Sequence, residues 1–189
     1  MTDAASAGFV SFDTYLADEQ EAESRHEWVG GAVFVMAGGT ERHDVAVNAL
    51  TDVLRPGARK AGCRTFGGNR LVRTDAAAYY PDLVVVCGPL GHPLYEADAT
   101  LIAEVRSDST AGRDRREKAI VYATLPSLGQ YLLVDPDRRH IEVGVRHGRF
   151  LSWESYGPGD VVDTAYGVIV VDELYDAIDA EALTPPPHG

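Results

Sequence analysis

Asp82 stands at the mouth of four apolar residues, three of them valine, in the run PDLVVV (81–86). A run of that kind, with Pro81 in front and Gly88-Pro89 behind, predicts a central strand covered on both faces. An ionised carboxylate beside such a strand needs a partner that offsets its desolvation. Glu104 repeats the pattern in TLIAEVR (100–106). Strand side chains alternate, so Leu101, Ala103 and Val105 face one way while Ile102, Glu104 and Arg106 face the other. The 22-residue separation of the two acids allows their strands to lie side by side. Two carboxylates converging on one point suit a hard divalent cation such as Mg²⁺, which accepts one or two protein carboxylates and keeps several waters. The plainer alternative is that each acid pairs with an arginine, Arg70 or Arg106, for stability alone.

A third group of residues bears on the choice. Asp114, Lys118 and Tyr122 fall four apart and share one face of a predicted helix. The chain uses only two lysines against fifteen arginines, so Lys118 is not its habitual way of placing positive charge. A lysine is a compact point charge, suited to orienting a water nucleophile or to balancing charge that develops on a phosphate. The alternative is an Asp114–Lys118 surface pair worth under about 1 kcal/mol.

These residues need elements to hold them. Residues 11–24 read as a short acidic helix capped by Ser11 or Asp13. HEWV-GG-AVFVMA reads as strand, two-residue turn at Gly30-Gly31, strand. ERHDVAVNALTDVLR has helical periodicity and should end at Pro56-Gly57. Short strands follow near 63–66 and 69–74, then 82–87 and 100–106, then a helix over 111–125 that stops before Pro126. YLLVD, HIEVGVR, FLSWESY and DTAYGVIVV read as further strands, and DELYDAIDA as a small closing helix. The reading is mixed α/β around one sheet. A single domain is expected over 1–183, with the Pro-rich tail 184–189 frayed.

No stretch approaches the roughly 20 apolar residues that span a bilayer, and the N-terminus lacks a secretory pattern. Cys63 and Cys87 have no metal-type spacing and read as incidental thiols, so a cytoplasmic location is the default. The formal net charge of −12 opposes a nucleic-acid partner at face value. Its distribution does not: residues 55–73 hold six basic side chains and no acid. That stretch is either a local phosphate-binding patch or a solvated face. His92, His140 and His147 read as surface, and Trp28 and Trp153 as core.

PDLVVV (81–86), LIAEVRSDST (101–110), RDRREKAIVYA (113–123) and YLLVDP (131–136) resemble, in order and spacing, the Uma family of restriction-endonuclease-like bacterial proteins. HEWVGGAVFVM (26–36) and Glu41-Arg42-His43 look like that family's N-terminal hairpin and following helix, and the likeness spans about residues 11–145. It implies a PD-(D/E)XK nuclease fold: a central mixed β-sheet flanked by helices, with an N-terminal β-hairpin. It implies Asp82 and Glu104 as ligands of Mg²⁺ or Mn²⁺, joined by the backbone carbonyl of Val105. The motif lysine should stand at 106, where this chain has Arg106. Similar proteins carry a lysine on the next helix, which makes Lys118 the catalytic lysine. Arg106 remains a substitute that contributes charge alone. Glu27 matches an acid in the family's first hairpin and His43 the histidine opening its long helix; the bland alternatives are a salt-bridged hairpin residue and a satisfied helix-start side chain. Tyr122 supports from the lysine's helix face.

The function so implied is metal-dependent endonucleolytic hydrolysis of nucleic acid, with DNA the expected substrate. Arg55, Arg59, Lys60, Arg64, Arg70, Arg73 and Arg113 would contact phosphates without reading sequence. A homodimer, with apolar residues 165–171 as an edge, is a family-level expectation. The alternatives are a nuclease fold that no longer cuts and serves as a binding or assembly module, and a purely structural ion-pair network.

Overall fold

The computed structural model describes residues 8–36, 38–89, 91–106 and 114–182, with side chains from 117 onward in the last span. The chain opens with α1 (Phe12–Glu21), capped by the Ser11 side chain, which accepts from the Thr14 amide. The hairpin β1 (His26–Val29) and β2 (Ala32–Val35) follows. Its turn needs a left-handed backbone at both central positions, and Gly30 and Gly31 supply it at φ 56° and 95°. Next come α2 (Glu41–Lys60), β3 (Arg64–Gly67), β4 (Leu71–Arg73), β5 (Ala77–Tyr79), β6 (Leu83–Val86), β7 (Tyr95–Glu96) and β8 (Ala99–Val105). The last part runs α3 (Asp114–Tyr122), β9 (Gln130–Asp135), β10 (His140–His147), β11 (Phe150–Tyr156), β12 (Val161–Thr164), β13 (Gly167–Val170) and α4 (Val171–Ala182).

The strands form two main sheets rather than one. The larger, mixed sheet has the order β11-β10-β9-β8-β6-β3, and a second has β2-β1-β5-β4-β7; β12 and β13 make a separate ribbon. β6 pairs antiparallel with β8, Leu83 opposite Ala103 and Val84 opposite Ile102. β8 pairs parallel with β9. All four residues of β6 are buried, because both faces of the large sheet are covered. On one face Leu83, Val85, Leu101, Ala103 and Val105 pack with α2 and α4. On the other, Val84, Val86 and Ile102 pack with Ala119 and Tyr122 of α3 and with Ala77 and Tyr79 of the second sheet. Asp82 and Glu104 belong to this second face by alternation.

Three further expectations are corrected. α2 runs past Pro56 to Lys60. Proline costs one hydrogen bond there, and Ala58 beyond it is fully buried in the core, which holds the last turn. Gly57 allows the helix to touch the ribbon: a Cβ at 57 would stand 1.8 Å from the Tyr166 carbonyl oxygen. DTAYGVIVV is not one strand but a hairpin, turning at Ala165-Tyr166 with Val162 opposite Ile169. That places the apolar 165–171 segment in contact with α2 and sends Ile169 into the core. Finally, Cys63 and Cys87 are not free thiols but a disulfide. They flank the Arg64–Val86 pair of the β3–β6 ladder, so they face each other with Cα atoms 4.3 Å apart, the spacing of a non-hydrogen-bonded cross-strand pair. The cytoplasmic default rested in part on unpaired thiols and loses that part of its support. No helix among the described residues is long and apolar enough to cross a membrane. The Pro-rich tail, 184–189, lies outside the described residues.

Candidate active site

Asp82 closes the loop that delivers the chain into β6. Continuing the Leu83–Ala103 pairing by one step sets it opposite Glu104. Its Oδ2 accepts the Val105 backbone N–H at 2.7 Å and lies 3.2 Å from His43 Nε2. His43 occupies the first turn of α2, where the Thr40 hydroxyl caps its amide. Its other nitrogen, Nδ1, lies 3.1 Å from Asp44 Oδ1. The His43 pKa is pushed up to about 9, chiefly by the hydrogen bond to Asp82 and against the opposing effect of burial. Gly39 makes room for the ring, since a Cβ there would stand 2.6 Å from Nδ1.

Glu104 is the more enclosed acid, with its side chain 13% exposed. It accepts from Lys118 Nζ at 3.4 Å and from the Tyr122 hydroxyl at 3.2 Å. Lys118 is buried and also reaches Glu27 Oε1 at 3.0 Å. Its ammonium lies 5.1 Å from the centroid of the Tyr79 ring. Burial is the main reason the Glu104 carboxyl is raised to about 8; Lys118 opposes the rise, while Asp82 and Glu27 add to it. Burial, and then Glu104, holds the Tyr122 hydroxyl well above its usual range. Three acids and one ammonium are thus drawn from β1, the start of β6, β8 and α3. The two sheets supply the acids, and α3 supplies Lys118 and Tyr122 one turn apart.

Among the described residues, neither acid pairs with an arginine. Arg106 turns to Asp135, Nη1 to Oδ2 at 3.6 Å. Arg70 clamps Glu96 at 2.7 and 2.9 Å and also donates to the carbonyls of His92, Pro93 and Tyr95. Its guanidinium is therefore engaged within the molecule. Two neighbours in the basic stretch are similarly engaged. Arg64 donates to the carbonyls of Gly88 and Pro89. Arg73 stacks 3.9 Å from the Phe12 ring centroid and donates to the Tyr95 hydroxyl. Arg55, Arg59 and Lys60 are exposed at the C-terminal end of α2. At about 1.5 Å per residue they stand about 18 to 26 Å from His43 along the helix axis. Arg113 and the side chain of Asp114 lie outside the described residues.

Among the described residues, no three His, Cys, Asp or Glu side chains gather to hold a metal ion by themselves. Mg²⁺ and Mn²⁺ do not require three. Two hard carboxylates on facing strand positions, one of them raised to about 8 by burial and like charge, form a donor set that a divalent cation would relieve. The residues present fit such an ion.

Two participants have no expectation in the sequence reading. The Val105 amide holds Asp82, and Tyr79 lies under Lys118. The first is invisible because a backbone donor carries no residue signature. The second follows from β5, a three-residue strand in AAAYYPD that is too short to show a period. Among the residues read as bland, Trp28 is buried, and His92 and His147 are exposed.

The arrangement can now be set beside known proteins. Two Synechocystis sp. proteins, each named an uncharacterized protein (sll1609 and slr1290), are 28% identical to this chain over 127 and 138 residues. The matches cover 64% and 71% of this chain and 72% and 73% of theirs. A crystal structure from Anabaena variabilis, described as "a putative nuclease belonging to DUF820", superposes with a TM-score of 0.67 at 15% identity, over 86% of this chain and 98% of that one. That likeness fixes the fold as restriction-endonuclease-like. A family model, Uma2, described as "Putative restriction endonuclease", matches residues 12–164, from the first residue of α1 to the last of β12. This chain belongs to the Uma2 family.

Proposed function

We propose that this protein is a metal-dependent endonuclease that hydrolyses phosphodiester bonds of DNA. The observation that carries this reading is the placement of Asp82 and Glu104 on facing positions of neighbouring strands, with the buried Lys118 ammonium 3.4 Å from Glu104. Asp82, Glu104 and the Val105 carbonyl would hold Mg²⁺ or Mn²⁺. When bound, such a cation supplies Lewis acidity, lowering the pKa of a water and polarising a phosphate. The side chains do the rest. Lys118 offsets charge developing on the phosphoryl oxygens. Glu27, 3.0 Å away, holds that ammonium in place. Tyr122 orients Glu104, and His43 together with the Val105 amide fixes Asp82. Water adds across one P–O bond: its oxygen goes to phosphorus and a proton goes to the leaving alcohol.

The test is cleavage of supercoiled plasmid and of a single-stranded oligonucleotide in Mg²⁺, Mn²⁺ or EDTA. Cleavage is expected only with metal, and is lost in Asp82→Ala and Glu104→Ala. Lys118→Met should slow it about 100- to 1000-fold, the usual effect of removing a charge-stabilising donor. A folded wild type that cuts neither substrate with either metal would sink the reading.

A second reading, a binding or assembly module on a nuclease fold, is favoured by Arg106 turning to Asp135 and by the distance of the basic α2 end from the acids. A calorimetrically silent Mn²⁺ titration, together with no cleavage, would select it.

A further inference from the structure

Among the described residues β2 is an edge of the second sheet, and it is uncommonly apolar for that position. Val33, Phe34 and Val35 are 38%, 46% and 67% exposed. Native edge strands usually carry charge or proline to discourage chance pairing. Here residues 30–39, GGAVFVMAGG, contain no charged side chain in a chain of net charge −12.

The register divides this strand. Val33 lies opposite Trp28 and Val35 opposite His26, so both project on the side of the Trp28 core. Phe34 lies opposite Glu27. Facing residues of an antiparallel pair share a side, with Cβ atoms about 4.5–5.5 Å apart. Phe34 therefore shares its side with the acid whose carboxylate stands 3.0 Å from Lys118. Continuing the Trp28–Ala78 pairing by one step adds Tyr79, so the row reads Phe34, Glu27, Tyr79, with Lys118 over the last. The inner end of the row is buried in the candidate site, and the outer end is a half-exposed aromatic ring.

We infer that Phe34 is a stacking platform for an unpaired nucleobase next to the scissile phosphate, which makes single-stranded or frayed DNA the preferred substrate. This rests on the nuclease reading above. A phenyl ring has no donor or acceptor, so it takes the π-face of any base and reads no sequence. It can do so only for a base already out of its stack. The uncharged lane through residues 30–36 lets a polyanionic strand approach an otherwise acidic molecule, and the ring stands one residue pair from the charged cluster. The hairpin is rigid enough to present it. The Val10 amide donates to the Gly31 carbonyl at 2.9 Å, the Trp28 indole to the Val10 carbonyl at 2.8 Å, and the Gly30 amide to the Ala76 carbonyl at 2.9 Å.

The test measures binding of a fluorescein-labelled oligothymidylate of about 12 nucleotides, and of a blunt duplex of equal length, by anisotropy in EDTA. Wild type, Phe34→Ala, Phe34→Leu and Phe34→Trp are compared, with sedimentation for mass and circular dichroism for folding. Stacking predicts single-strand affinity lowered roughly five- to hundredfold in both Ala and Leu variants, retained in Trp, with mass unchanged. A merely structural apolar role would be kept by leucine. Equal affinity in Phe34→Ala and wild type overturns the inference. So does a shift from dimer to monomer in Phe34→Ala without loss of affinity per protomer, which would make β2 a contact between two copies. Aromatic-dependent binding without cleavage in Mn²⁺ leaves the stacking inference standing while the nuclease reading falls. Cleavage by wild type with an indifferent Phe34 does the reverse, and a wild type that binds neither probe and cuts neither substrate with either metal overturns both.

Discussion

A carboxylate proposed to receive a cation must be tolerated without one, and Glu104 manages this by holding its proton and leaning on Lys118 and Tyr122. Its pKa is raised from 4.5 to about 8, so the fold accommodates the neutral acid better than the anion. The stability this gives is full below about pH 4.5 and is lost as pH rises through 8, at up to about 1.4 kcal/mol per pH unit. His43, raised from 6.5 to about 9 by its bond to Asp82, behaves in the same sense. Its contribution is full below pH 6.5 and is lost by pH 9 and above. Metal-free protein should therefore lose stability to urea steadily between pH 5 and pH 9, and Glu104→Gln should flatten the part that comes from Glu104. Stability constant or rising over that range in EDTA would contradict the charge arrangement. Asp82, Glu104 and Lys118 were legible as anomalies, two acids against a period-two apolar pattern and a rare lysine. Their partners were not. His43 meets Asp82 across 39 positions and Glu27 meets Lys118 from a different sheet, and such meetings belong to the packing rather than to any local window.

At the scale of elements, the long α2 joins the site to the rest of the molecule. Its N-terminus presents His43, and its far end is wedged under the β12–β13 ribbon. Gly57 and Gly167 make the close approach: a Cβ at 57 would stand 1.8 Å from the Tyr166 carbonyl oxygen, and one at 167 would stand 3.1 Å from that of Val53. Gly57→Ala sets two effects against each other. Alanine favours a helix over glycine by about 1 kcal/mol. Overpacking costs typically about 1–3 kcal/mol, and the obstacle here is backbone, which cannot rotate away. The clash should win, leaving the variant up to about 2 kcal/mol less stable in a thermal melt; a higher Tm would mean that the ribbon is not seated on α2. The same contact explains where the sequence misled. Pro56-Gly57 reads as a helix stop because local chemistry says so, and the helix continues because Ala58 is buried beyond it. Elements with strong periods or explicit turn residues were readable: α1, the Gly-Gly hairpin, β6, and β8 to β11. β5 and β7, three and two residues long, exist only through their neighbours.

Over the whole molecule the question is how an acidic protein would hold a polyanion. The exposed cations that remain after Arg64, Arg70 and Arg73 are engaged internally include Arg55, Arg59 and Lys60, at the opposite end of α2 from His43. The disulfide between β3 and β6 sits at that end too, bracing the strand that carries Asp82 at its other extremity. An offset of about 18 to 26 Å corresponds to about 5 to 8 base pairs at 3.4 Å each. The cluster can therefore help only a substrate that extends that far from the bond being cut. Replacing all three cations by alanine should leave cleavage of a stem of about 4 base pairs unchanged. It should lower kcat/KM on a duplex of about 24 base pairs and make its salt dependence shallower, by a slope of up to about three if each contacts one phosphate. Equal losses on short and long substrates would mean that the cluster borders the acids, contrary to the length of α2. No loss on either would mean that the strand leaves by another route, for which the uncharged lane past Phe34 is the open alternative. On the nuclease reading, the length dependence would thus report the path of the nucleic acid across the molecule, a property that no single side chain determines.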